Sequence, residues 1–283
     1  MDDLIGTVDD TARWVAHHRA IETARPDALF HDPFAARLAG AEGAAIAEGA
    51  EPAAGGGDGW YLTARTVLID EAVAAAIADG CDTVVNLGAG LDARPYRLDL
   101  PADLEWIEVD LPAILDHKAA ILAAEAPRCL LRRVPLDLAG DGLADLLAGL
   151  TDRRILVLSE GLVMYLSPDA ADGLADGLAA AGVDRWCLDL SASGVGSVMT
   201  ERNRGILRHA PWRFLPADGV AHFEERGWRA ERIDPLFPAA VALGRLDSPE
   251  ARRLAAGPQP DPRDPGDVPW SGVVTLTPAD EPD

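Results

Sequence analysis

The chain has 283 residues, with 25 Lys and Arg against 47 Asp and Glu, a formal net charge of −22. That length allows one large α/β unit or two modest ones, and either could bury a core. So acidic a surface repels phosphate backbones and anionic lipid, and no Lys/Arg run exceeds two residues, so a nucleic-acid or membrane partner is not expected and a small-molecule substrate is.

The single lysine, Lys118, leaves little room for Schiff-base, P-loop or Tyr-x-x-x-Lys chemistry, and none of Tyr61, Tyr96 or Tyr165 has a lysine four residues on. Cys81, Cys129 and Cys187 lie far apart, with no C-x-x-C pair, so neither a metal site nor a disulfide framework is expected. Met1-Asp2-Asp3 is unlike a secretory leader, and no apolar run approaches a membrane span, which points to a cytoplasmic protein. The oligomeric state is open.

Helical spacing of Trp14, Val15 and Ile21 predicts a helix over 8–24, closed by Pro26. Asp32-Pro33 predicts the start of a short second helix running to Leu38. Residues 40–59, rich in Ala and Gly, read as a mobile surface connection, and 61–78 as a helix.

An alternation then begins. Strands are predicted at 83–87, 105–109, 129–134, 154–158 and 185–190, with helices at 112–124, 143–150 and 168–181 between them. Such alternation implies βαβ units and a parallel sheet covered on both faces. Beyond it, 217–226 reads as helix, 228–233 and 273–277 as strands, and 257–269 as a proline-rich connection. The expected organisation is one domain: a helical cap and connection (1–60), a ligand-binding core (61–190) and an acceptor side with the C-terminal strands (191–283).

In a doubly wound sheet the ligand lies beyond the carboxyl ends of the strands, and the first βα turn must let backbone approach it closely. Gly88-Ala89-Gly90 occupies that turn. Asp110 ends the second strand, 20 residues on, where a carboxylate can accept from two ribose hydroxyls. Both NAD and S-adenosylmethionine carry such a ribose. Asp92 puts an anion where a pyrophosphate would sit, which disfavours NAD and suits a ligand with a cationic amino-acid end, although Asp92 could equally cap the following segment.

Three runs together resemble the leucine carboxyl methyltransferase family and its bacterial polyketide O-methyltransferase branch. They are Asn86-Leu87-Gly88-Ala89-Gly90-Leu91-Asp92-Ala93-Arg94, Glu108-Val109-Asp110-Leu111-Pro112, and Ser159-Glu160-Gly161-Leu162-Val163-Met164-Tyr165-Leu166. Thr11-Ala12-Arg13-Trp14, Asp32-Pro33-Phe34 and Arg65-Thr66 fit the same family.

The resemblance implies a Rossmann-like class I methyltransferase fold: a mostly parallel sheet with an antiparallel C-terminal strand, helices on both faces and an N-terminal helical cap. It implies S-adenosylmethionine as cofactor and S-adenosylhomocysteine as product, with O-methylation of a carboxyl or hydroxyl on a small, polyketide-like molecule. By that similarity Gly88, Ala89 and Gly90 border the methionyl part, Asp110 with Leu111 holds the ribose, and Asp137 with Leu138 meets the adenine. Arg65, with Arg13 second, binds the methionine carboxylate, and Glu160 lies near the amino and sulfonium end. Residues 8–40 are expected to close over the cofactor.

The residues themselves leave other readings open. Arg65 could pair with Asp70 or Glu71 on the surface, and Asp137 could cap a helix. Histidines 17, 31, 209 and 222 lie in no diagnostic motif, so no general base is assigned. A nicotinamide-dependent oxidoreductase and a cofactor-binding protein without transferase activity are the alternatives.

Overall fold

The computed structural model describes residues 8–49, 59–138, 140, 142–196 and 210–279. Two strands, β1 (Thr83–Leu87) and β4 (Ile155–Ser159), are buried at every position, as expected of near-continuous Val/Ile/Leu runs covered from both sides. They pair in parallel at the centre of the sheet, with Thr83 opposite Ile155. Around them lie β2 (Glu105–Asp110), β3 (Leu130–Pro135) and β5 (Arg185–Ser191), all parallel. Of the last two strands, β6 (Trp228–Pro235) and β7 (Ser271–Pro278), β7 inserts between β5 and β6 and runs antiparallel to both, so β6 points the same way as the first five. The order is β3-β2-β1-β4-β5-β7-β6. Because the chain leaves β1 toward β2 on one side and returns to β4 on the other, a crevice opens beyond the carboxyl ends of β1 and β4.

Helices α1 (Val8–Thr23) and α2 (Ala35–Gly49) form the cap. After α3 (Gly59–Ala78) come the short α4 (Arg94–Arg97), α5 (Pro112–Ile121), α6 (Gly142–Ala148) and α7 (Pro168–Ala180). The C-terminal part adds α8 (Ala221–Glu224), α9 (Leu236–Ala242) and α10 (Pro249–Ala256). One sheet face is sealed by a core that includes Leu147, Leu174, Leu178, Trp186 and Trp228. The other is sealed by Ile69, Val73 and Trp106, with Leu236 and Ala240 of α9.

Two stretches depart from the expected pattern. Residues 41–49, expected in a surface connection, are helical: α2 kinks at Gly40 and continues. The cause is packing, because Ile46 is buried beside Trp14 and Leu62, and Gly43 meets α1 so closely that a Cβ there would lie 2.6 Å from the Arg13 carbonyl oxygen. The glycines at 55–57 lie outside the described residues. In the C-terminal part, the expected helix over 217–226 is a single turn at α8, and the helices α9 and α10 were not expected. Ser248-Pro249 did carry a start signal for α10, since Ser248 accepts a hydrogen bond from the Ala251 amide at 3.0 Å.

The only lysine is structural. Lys118 Nζ lies 2.6 Å from Glu108, with neither side chain exposed, and Arg133 donates to the same carboxylate at 3.0 Å and to Tyr96 Oη at 2.7 Å. These contacts bind β2, β3, α4 and α5 to one another.

The cap is fastened at two places. Arg19 is buried, pairs with Asp32 at 3.0 Å and donates to the Leu91 carbonyl at 2.6 Å, tying α1 to the turn after β1. Arg245, which follows α9, reaches back across 223 residues to grip Glu22 with two donors at 2.6 and 2.9 Å, and it also contacts Asp27. Since Glu22 is buried, Arg245→Ala leaves its carboxylate without its main counter-charge. We expect a loss of about 1–3 kcal/mol in urea denaturation and faster amide exchange in α1. Exchange in α1 equal to the wild-type value is the opposite result.

Candidate cofactor and acceptor site

The turn after β1 is built for close approach. Gly88 has φ +63°, where a side chain is strained, and a Cβ there would lie 3.1 Å from Leu162. At Gly90 the amide donates to Asp110 Oδ2 at 2.6 Å, while Asp110 Oδ1 accepts from the Leu111 amide at 2.7 Å. The predicted glycine and acid thus meet at the crevice. Ala89 is buried in the turn, and Leu111 is 46% exposed beside it. Asp137 and Leu138 lie just past β3, with Asp137 exposed and five positions ahead of Gly142, the first residue of α6.

Below the turn lies a network of buried charge. Arg65, from α3, places Nη1 2.8 Å from Asp189 and Nε 3.1 Å from Glu160. Arg94, whose side chain is 1% exposed, contacts Glu160 at 2.6 Å, Asp92 at 2.9 Å and Asp70 at 2.6 Å. Asp92 also accepts from the Asn86 amide group and the Arg94 backbone, both at 2.9 Å. Asp189 accepts from the Gly161 amide at 2.6 Å. Arg65 therefore does not make the surface pairs that helical spacing offered. Asp70 serves Arg94 and Arg97, and Glu71 serves Arg232.

Charge state follows from this arrangement. Burial raises the pKa of Asp92 and Glu160, but the neighbouring arginines, Arg94 foremost, outweigh it and hold both below the usual carboxylate range. Burial alone would lower the Arg65 pKa, yet Asp189 and Glu160 raise it. Burial pushes the Tyr61 and Tyr165 phenols up, so both stay protonated at neutral pH. Burial, with His17 adding to it, drives His18 down to about 4, so it is uncharged at pH 7.

A cavity of about 490 Å³ opens from this network. It is lined by Asn86, Gly88, Asp92, Glu160 and Arg65 of the turn and the network, and by the rings of Trp14, Trp60, Tyr61, Trp212, Phe237 and Trp270, with Glu250 at α10. That size and that mixture of apolar wall with few polar groups is typical of small-molecule sites. Arg13 stands apart from the cavity lining and pairs with Glu42 of α2 at 3.1 Å. His222 contacts Asp172 at 2.7 Å, away from the cavity, and His209 is outside the described residues. Among the described residues no cluster could hold a metal ion.

Sequence reasoning missed Arg94 and Asp189 as members of the network. Asp189 did carry a signal: a lone carboxylate within the buried run Trp186-Cys187-Leu188-Asp189-Leu190 demands a partner.

The profile of the leucine carboxyl methyltransferase family matches residues 12–179. This chain belongs to the leucine carboxyl methyltransferase family. Membership places it among S-adenosylmethionine-dependent methyltransferases, and the sheet order is that of the expected class I fold. Similar chains include a Frankia alni protein, 35% identical over 269 residues, 87% of this chain and 92% of that one. A Mycobacteroides abscessus protein is 40% identical over 188 residues, 61% of each chain. Both are assigned by name alone as S-adenosyl-L-methionine-dependent methyltransferases. The crystal structure of a DUF574 family protein from Streptomyces avermitilis shares the fold, with a TM-score of 0.59 at 15% identity over 95% of this chain and 97% of that one.

Proposed function

We propose that the chain transfers a methyl group from S-adenosylmethionine to an oxygen, carboxyl or hydroxyl, of a small molecule of polyketide type. The observation that carries this reading is the continuity of the cavity. It begins at the glycine turn and the charged network and continues into an aromatic chamber large enough for a small organic acceptor.

The residues present fit the cofactor. Glu160 Oε1 and Arg65 Nε are buried and lie 3.1 Å apart, yet they are not aligned as a hydrogen bond and have no other partner. A zwitterionic amino-acid end offers an ammonium to the first and a carboxylate to the second. Gly88 and Gly90 let the cofactor approach the backbone of the turn beside Asp110, and Asp110 accepts from the ribose hydroxyls. Asp137 is assigned to the adenine amino group by the family resemblance.

The bound cofactor supplies an electrophilic methyl carbon on a sulfonium that leaves as a neutral thioether. The protein's part is alignment and exclusion of water. Glu160 and Arg65 fix the amino-acid end, Leu162 and Gly88 limit its depth, and α1, fastened by Arg19 and Arg245, covers the crevice. Tyr61 and Tyr165, held protonated, act as neutral walls and not as bases.

A thermal-shift titration with S-adenosylhomocysteine and NAD side by side tests the reading. A ligand at about 100 times its Kd adds roughly 2.7 kcal/mol to folding, so stabilisation is expected with the first and absent with the second. The Asp110→Ala variant is expected to bind S-adenosylhomocysteine more weakly by about 1–3 kcal/mol. Equal affinity in the folded variant, read by isothermal titration, removes Asp110 from the site.

A further inference from the structure

Three indole N–H groups at the cavity have no partner. Trp14, Trp212 and Trp270 line it, and the Nε1 of each is buried without a hydrogen bond. Trp14 and Trp270 are 8% and 3% exposed, so bulk water does not satisfy them. The Tyr61 hydroxyl on the same lining is also buried without a well-aligned bond, with Ser191 beside it, as Tyr165 stands beside the Trp212 indole. In the core, by contrast, Trp186 donates to Ser159 Oγ at 3.0 Å and Trp228 to the Ala175 carbonyl at 3.1 Å. A buried N–H left unpaired costs free energy, and a ring needed only as apolar wall is supplied without one by phenylalanine, as at Phe237. Oxygens that could receive these donors are scarce. Asp92 is filled by Arg94 and the Asn86 amide group, and the unpartnered Glu160 Oε1, with Arg65 Nε, is assigned to the cofactor's amino-acid end. Gln259 donates to the Leu254, Ala255 and Gly257 carbonyls, and Ser248 caps α10. With the cofactor placed, the cavity is left with an excess of neutral donors.

We infer that the methyl acceptor is a ring molecule bearing carbonyl-type oxygens away from the oxygen that is methylated, and that the indoles of Trp14, Trp212 and Trp270 select it by donating to those oxygens. This rests on the methyltransferase reading and narrows it. An indole suits the task because its ring covers a flat molecule while its N–H fixes the orientation. A molecule of the same outline without such oxygens leaves the donors unpaired and is rejected on that account.

The full chain saturated with S-adenosylhomocysteine is titrated calorimetrically at pH 6 with 7-hydroxycoumarin and with 2-naphthol. Both are neutral two-ring molecules with one hydroxyl, and the coumarin alone carries the lactone oxygens. It is expected to bind at least about fivefold more tightly. Trp14→Phe, Trp212→Phe and Trp270→Phe each keep a ring and delete one N–H. In at least one of them the coumarin is expected to lose about three- to tenfold in affinity while naphthol changes by less than about twofold. Trp106 is the control, since its Nε1 is also unpartnered but belongs to the core and not to the cavity, so Trp106→Phe is expected to leave the ratio of the two affinities as it is. Equal or tighter binding of naphthol, no binding of either probe, a ratio unchanged in all three cavity variants, or an equal fall in the Trp106 variant overturns the inference. S-adenosylhomocysteine binding is recorded in each sample: its absence from the wild-type chain is a failure of the cofactor reading, whereas its presence with any of those outcomes is a failure of this inference alone.

Discussion

Replacing Arg94 with Met is expected to lower stability at neutral pH by about 3–5 kcal/mol, because it strips the shared counter-charge from buried carboxylates while keeping most of the side-chain volume. Arg94 is the hub of the network: its guanidinium contacts Asp70, Asp92 and Glu160 within 2.9 Å, and its side chain is 1% exposed. Asp92 and Glu160 are left in a low-dielectric setting with only more distant cations, or with Arg65 alone. The pH dependence identifies the cause. In the wild-type chain both carboxyl groups titrate below their ordinary values, so the stability they contribute is present above about pH 4 and is lost as pH falls through the lowered folded values. In the variant, the same groups are neutralised by protonation in acid. The stability difference between the two chains is therefore expected to shrink as pH is lowered from 7 toward 4. A difference that stays constant over that range in urea denaturation assigns the loss to packing instead of charge.

Why the network had to be seen in the structure is a matter of sequence distance. Each strand that builds the crevice was legible, because β1 and β4 are short unbroken apolar runs and the glycines and Asp110 that end β1 and β2 are local signals. Arg65 and Asp189, by contrast, meet across 124 residues, and Arg94 and Glu160 across 66. No periodicity reports such a pair; only the burial of a charged residue inside an apolar element hints at it. The same holds for the cap. In residues 41–49 the glycines at 43 and 49 mask the helix-favouring alanines around them, and the segment is held as helix by Ile46 and Gly43 fitting against α1 and α3. In the C-terminal part, α9 is packed on α3 through Leu236 and Ala240, a contact that its seven residues do not announce. The aromatic chamber depends on that packing, since Phe237 reaches Trp60 from α9.

Arg65 offers the sharpest separation of scaffold from ligand binding. Arg65→Gln leaves Asp189, which is wholly buried, facing a neutral amide, so a stability loss of about 3 kcal/mol is expected. On the proposed role of Arg65 it also removes a charged donor from the cofactor's carboxylate, an interaction of about 1.5–3 kcal/mol, so S-adenosylhomocysteine affinity is expected to fall roughly ten- to a hundredfold. Stability loss alone does not distinguish the two roles, because a loosened network could weaken binding indirectly. Asp189→Asn supplies the comparison. It disturbs the same ion pair and the Gly161 amide contact, yet leaves Arg65 charged and its guanidinium freer to receive a ligand carboxylate. If Arg65 holds the cofactor, isothermal titration shows weakened binding in Arg65→Gln and retained or tightened binding in Asp189→Asn at similar cost in stability. Parallel weakening in both variants makes Arg65 a support for Glu160 and moves the carboxylate-binding role elsewhere in the crevice.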